Sequence, residues 1–157
     1  MKIKLNLGLF ILVALLVSTS GCDFTKKCYD CFTPPSPIRL KIVNSEGDNL
    51  ISSGIFNKDS IKLFYFDNLQ MKSVPFNVIT YQDIIVSSDM AWLSVDKQRD
   101  FYLYLNHLDT DTLSLEIVKH SDDCCTWHPI KSFLINGKQA EMSNTDYTFL
   151  IRKSIAQ

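Results

Sequence analysis

The chain has 157 residues, 46% of them hydrophobic, with 16 Lys and Arg against 17 Asp and Glu, a formal net charge of −1. That length is enough for one domain with a real core. The near balance of charge gives no sign of the concentrated basic patch that phosphate binding needs, so nucleic acid is not an expected partner.

Lys2 and Lys4 give a positive start, and residues 7–17 are an uncharged run rich in Leu, Ile, Val, Phe and Ala. The run is too short to span a bilayer and is followed by small residues, as a cleaved signal should be. Thr19-Ser20-Gly21-Cys22 resembles the lipobox of bacterial lipoproteins, with Thr19 where Leu is usual. The resemblance implies that residues 1–21 are a signal peptide and that Cys22 becomes the acylated N-terminus. A thioether-linked diacylglycerol there would anchor the protein to a membrane by its buried methylenes. The plainer alternative is an ordinary secretory signal cut near Gly21.

Removing residues 1–21 takes away two lysines and no acid, which leaves 136 residues with a net charge of −3. It also leaves four cysteines besides Cys22: Cys28, Cys31, Cys124 and Cys125. An even number in an exported chain suggests two disulfides. Pairing Cys28 and Cys31 with Cys124 and Cys125 would staple an N-terminal arm to a late strand. Local Cys28–Cys31 and Cys124–Cys125 bridges are the other choice, and the vicinal ring is strained. Spacing alone leaves both open. The cross-pairing is the expectation, because a proline-rich arm has little else to hold it down.

Residues 22–37 read as a tether. Pro34, Pro35 and Pro37 remove backbone donors and favour extended chain. A single β domain is expected over residues 38–157. Ile38, Leu40 and Ile42 alternate with Arg39 and Lys41, as a half-buried strand does. A polar turn follows over residues 44–49, then a weak segment over 50–56 that Gly54 breaks. Residues 61–66 alternate again, and Asp67-Asn68 turns the chain. Residues 70–78 are expected to return as one strand, with Pro75 marking an edge or bulge. Residues 81–86 and 90–95 are short apolar stretches, the second able to form a turn of helix, before a charged turn over 96–100.

Residues 101–105 and 112–118 predict an antiparallel core hairpin, connected by the six residues 106–111. Residues 120–129 read as a polar loop. Residues 130–135 form a strand ending at Asn136-Gly137, a type I′ turn signal. Tyr147, Phe149 and Ile151 complete a last alternating strand. The expected core comprises Ile38, Leu40, Ile42, Leu63, Phe101, Leu103, Leu105, Leu113, Leu115, Ile117, Phe149 and Ile151. These elements predict an all-β fold: an antiparallel, Greek-key sandwich of immunoglobulin-like or transthyretin-like type.

Candidate chemistry is sparse. Cys28 and Cys31 have thioredoxin spacing, but prolines follow and no helix is expected to lower a thiol pKa. Adjacent Cys124 and Cys125 fit poorly on one zinc ion, so no metal site is assigned. His120, Asp122, Asp123 and His128 flank the late cysteines and form the one cluster able to hold a metal or do acid–base chemistry. A solvated loop held by a disulfide is the preferred reading. His107 looks merely exposed. Asp109, Asp111 and Glu116 do not match a calcium loop. No phosphate loop, dinucleotide fingerprint or nucleophile elbow occurs, so no cofactor is expected. Tyr102 and Tyr104 face away from Phe101 and Leu103. If nothing covers that face, they belong to a binding patch.

Four features together resemble the small β-sandwich lipoproteins of Bacteroidota. They are Gly21-Cys22 after the apolar run, the Cys- and Pro-containing arm, the central strand pair, and the late cysteines before a strand ending in Asn-Gly. The resemblance implies a fold and a place, and carries no catalytic residues. The place is the bacterial cell envelope, on the outer membrane in preference to the inner, with the domain in the periplasm or at the cell surface. The expected function is non-enzymatic: an anchored domain that binds or scaffolds a protein or glycan partner. The competing expectation is a small metal-dependent or redox enzyme using the loop over residues 120–128.

Overall fold

The computed structural model describes residues 31–122 and 124–154. Residues 1–21, expected to be a signal peptide, and Cys22, Cys28 and Asp123 lie outside the described residues. Two large sheets face each other across one core, and a small third sheet sits beside them. The six-stranded sheet runs in the order β12-β11-β8-β7-β3-β4. Its strands are β3 (Lys62–Asp67), β4 (Gln70–Ser73), β7 (Asp100–Asn106), β8 (Asp109–Ile117), β11 (Ile130–Ile135) and β12 (Lys138–Gln139). The five-stranded sheet runs β13-β14-β2-β6-β5. It contains β2 (Ile38–Val43), β5 (Asn77–Ile79), β6 (Ile84–Ser87), β13 (Glu141–Met142) and β14 (Phe149–Arg152).

The period-two pattern explains the packing. Leu63, Phe101, Leu103, Leu105, Leu113, Leu115, Ile117 and Phe133 of one sheet meet Ile38, Leu40, Ile42, Ile85 and Ile151 of the other in one buried cluster. Every expected core residue is buried except Phe149, which is half-buried and packs edge-on against Phe133 at 4.7 Å. Truncating a fully buried Leu removes apolar burial and leaves a cavity. Leu103→Ala and Leu115→Ala should therefore each cost about 2–5 kcal/mol in urea unfolding. A loss under about 0.5 kcal/mol at both would put these side chains on the surface.

The structure corrects several expectations. Residues 70–78 are two strands rather than one. β4 pairs with β3, then the chain passes Pro75 and β5 pairs with β6 in the other sheet. Val74 is buried at the crossing. A proline cannot donate to a ladder, so the strand ends there and the chain changes layer. The hairpin connection is shorter than six residues: β8 begins at Asp109, leaving His107 and Leu108 as the turn, and a register shift lies between Tyr104 and Asn106. The turn of helix open to residues 90–95 does form, beginning two residues earlier, as α1 (Ser88–Val95). The Ser87 side chain caps it, accepting from the Met90 N–H at 3.1 Å. Ser94 then fixes it to β8, donating to the Leu115 carbonyl and accepting from the Ile117 N–H.

Residues 120–129 are not simply a loop. β9 (His120–Ser121) and β10 (Cys125–Trp127) pair there, and β1 (Cys31–Phe32) adds alongside β10. Tyr147 lies outside the last strand, exposed and at φ +53°. Pairing is also not wholly antiparallel, since β1 with β10 and β14 with β2 run parallel. At Asn136-Gly137 both residues take positive φ, +52° and +75°, as a type I′ turn requires.

Candidate functional site

The arm is joined to the late hairpin. Cys31 stands opposite Cys125 in register and is disulfide-bonded to it, closing a sequence separation of 94. Cys124 is also disulfide-bonded. Backbone bonds add to the staple: Cys31 N–H to the Cys124 carbonyl and Thr33 N–H to the Thr126 carbonyl.

The three ligand candidates of this loop each serve its geometry. Asp122 accepts from the N–H groups of Cys124 at 3.0 Å and Cys125 at 2.6 Å. Those two bonds hold its carboxyl below the ordinary carboxylate range. A lowered carboxyl steadies the loop at pH values above its ordinary pKa, and that effect fades as pH falls through the lowered value. His128 is buried, with its Nδ1 2.8 Å from the Thr33 carbonyl oxygen. Its ring meets Phe32 edge-on at 5.5 Å and tilts against Trp92 at 5.8 Å, while Phe32 and Trp92 stack. His128 thus clamps the arm onto α1. His120 is exposed and stacks on Trp127. Among the described residues, no three His, Cys, Asp or Glu side chains are placed to hold a metal ion.

The second candidate lies on the outer face of the six-stranded sheet. Register places Phe64 opposite Tyr102 and Lys62 opposite Tyr104. Phe64 and Tyr102 stack at 5.4 Å, Phe66 meets Tyr102 edge-on at 5.4 Å, and Lys62 Nζ sits 5.5 Å from the centre of the Tyr104 ring. Phe66 is 47% exposed, and Met71 opposite it is 63% exposed. Thr110 and Thr112, opposite Tyr104 and Tyr102, and Ser73, opposite Phe64, give the patch a hydroxyl rim. Phe64, Tyr102 and Tyr104 are half-buried, so with the exposed Phe66 and Met71 they form an apolar surface with polar edges.

Two further features have no counterpart in the sequence reading. Asp111, assigned there to a turn, is buried. Its Oδ1 accepts from Asn136 Nδ2 and Lys153 Nζ, both at 2.7 Å, and Lys153 also reaches Asp109. β8 and the end of β14 are thereby tied across the two sheets. The other feature is a cavity of about 640 Å³ beside Arg39. β14 begins opposite Leu40, so Ile38 and Arg39 at the start of β2 have no strand on that side, and the cavity opens at this notch. Among the described residues, no helix is long and apolar enough to cross a membrane. No family model matches the chain, and neither a curated protein nor a solved structure matches it.

Proposed function

We propose that this protein is a non-enzymatic lipoprotein of a bacterial cell envelope, anchored through Cys22, whose β domain binds a glycan on the outer face of the six-stranded sheet. The observation that carries the reading is the aromatic cluster of Phe64, Phe66 and Tyr102, packed ring to ring on the outer face of the six-stranded sheet, with Tyr104 beside Lys62 further along β7. Aromatic faces present an apolar platform, and a tyrosine adds a hydroxyl at its edge. Ser73, Thr110 and Thr112 supply hydroxyls around it, a rim suited to a neutral, hydroxyl-rich partner. The short tether supports the anchored half of the reading. From Cys22 to the staple at Cys31 the chain can span only about 30 Å, at roughly 3.3–3.6 Å per residue, which keeps the domain close to the lipid. The resemblance to Bacteroidota lipoproteins agrees with this placement. The bridge from Cys124 is proposed to run to Cys28.

One experiment tests both halves. Wild-type cells should label the protein with palmitate, and Cys22→Ala should abolish the label. Phe66→Ala with Tyr102→Ala should leave unfolding nearly unchanged, yet lower retention on purified envelope polysaccharide at least tenfold. Persistent labelling in Cys22→Ala refutes the anchor. Equal retention of wild type and the double variant refutes the sheet face as the binding surface.

A further inference from the structure

A second binding site, separate from the aromatic face, follows from the chemistry of the notch at β2. Its cavity, about 640 Å³, falls within the range of small-ligand pockets, roughly 300–1,000 Å³. The walls come from both sheets: Val86, Ile130, Phe133, Met142 and Phe149 make them largely apolar. None of its lining residues belongs to the aromatic cluster, and none is Asp or Glu.

Arg39 is the group this cavity leaves without an internal answer. Its Nε is buried and has no hydrogen-bond partner among the described residues. Nor does its guanidinium pair with any carboxylate of the described residues. Carboxylates next in sequence to residues lining the cavity or paired with one are committed elsewhere: Glu116 to Arg99 and Lys131, Glu141 to Arg152, and Asp146 to Lys41. A guanidinium carries five donors and a permanent charge. Leaving such a donor buried and unmet is unfavourable, and a carboxylate can take two parallel bonds from a guanidinium.

We infer that this cavity binds a small carboxylate amphiphile, its head paired with Arg39 and its aliphatic body against Ile130, Phe133, Met142 and Phe149. The head requirement comes from the unpaired fork, and the tail requirement from the walls. A neutral lipid would satisfy only the walls. A free inorganic anion would satisfy only Arg39.

Decanoate is the probe. The mature chain, residues 22–157 carrying Cys22→Ala and produced without residues 1–21, is titrated by calorimetry, which keeps lipid, detergent and the apolar 7–17 segment out of the measurement. Decanoate should bind saturably at one site. Decanol, which lacks the charge, and acetate, which lacks the tail, should each bind at least tenfold more weakly. Arg39→Met should weaken decanoate at least tenfold and leave decanol unchanged. Arg39→Lys should fall between, because it keeps the charge and loses the fork. Equal affinity for decanoate and decanol, no binding of decanoate, or wild-type affinity in Arg39→Met would each overturn the inference. If Arg39→Met fails to fold, the Arg39 Nε–H signal of the unsubstituted residue decides by NMR. It should move with decanoate and stay with decanol, and a signal that stays with both overturns the inference. Loss of polysaccharide retention by the aromatic-face variants would leave this titration untouched, so the two sites fail separately.

Discussion

Complete reduction and alkylation of the four cysteines 28, 31, 124 and 125 should lower the unfolding free energy by about 4–5 kcal/mol. The magnitude follows from the entropy that the Cys31–Cys125 bridge removes from the denatured chain by closing a separation of 94 residues. Cutting that bridge alone, with Cys31→Ala and Cys125→Ala, should cost clearly less. Cys124 remains disulfide-bonded, and a bridge from it to the arm would close nearly the same loop. The comparison of single and complete removal in urea therefore reads out the second connectivity. If the Cys31→Ala, Cys125→Ala protein is already as unstable as the reduced one, Cys124 is not bonded to the arm. A loss below about 1 kcal/mol on complete reduction would mean that the arm contributes little to the fold. The parting of Phe32 from Trp92 and His128 should accompany the loss, because those contacts depend on where the staple puts the arm.

Lys153→Met should be nearly as damaging, at about 3–5 kcal/mol. Asp111 is 1% exposed, and Lys153 supplies its only cationic partner among the described residues. Asn136 alone would remain as donor to Oδ1, while Oδ2 is buried with no partner. A carboxylate stranded in that way loses its compensation but keeps the cost of leaving water. Adding Asp111→Asn removes the stranded charge and retains an acceptor for Asn136, so the double variant should recover at least half of the loss. Urea unfolding of the two variants separates this from a simple packing defect, which the second substitution would not repair. If Lys153→Met costs less than about 1 kcal/mol, water reaches Asp111 and the pair is a surface one.

The alternation of apolar and polar residues made most of the strands legible, because a half-buried strand repeats every two residues whatever its partners. It carried less about which sheet a strand joins. Residues 70–78 look continuous in sequence, and only tertiary packing sends β4 and β5 to different layers around Pro75. Polar residues at inner positions were the main source of error. Asp111 shares the phase of Leu113, Leu115 and Ile117, yet aspartate so often marks a turn that the phase was not carried back to it. Had it been, β8 would have begun earlier and the hairpin connection would have been short. His128 was read as exposed loop for the same reason, since its partner is the Thr33 carbonyl, 95 residues away. Arg39 was legible as an alternating strand residue. That β14 stops short of it depends on register, which no local pattern specifies.

Tension takes an unusual route through a domain held at Cys31. A pull between the N-terminal side of Cys31 and any residue after Cys125 passes through the sulfur–sulfur bond and bypasses the chain between them. Strands β2 to β9 and the helix lie in that bypassed chain. Roughly 310–340 Å of contour, at about 3.3–3.6 Å per residue over a separation of 94, therefore cannot be drawn out along that line. A partner gripping Phe66 or Tyr102 would instead load the covalent ring from within, dividing the force between its two arms at Cys31. Under the proposed anchor at Cys22, a load on the far side of Cys125 would pay out no long thread, and the sheet face would stay near the point from which the domain is held.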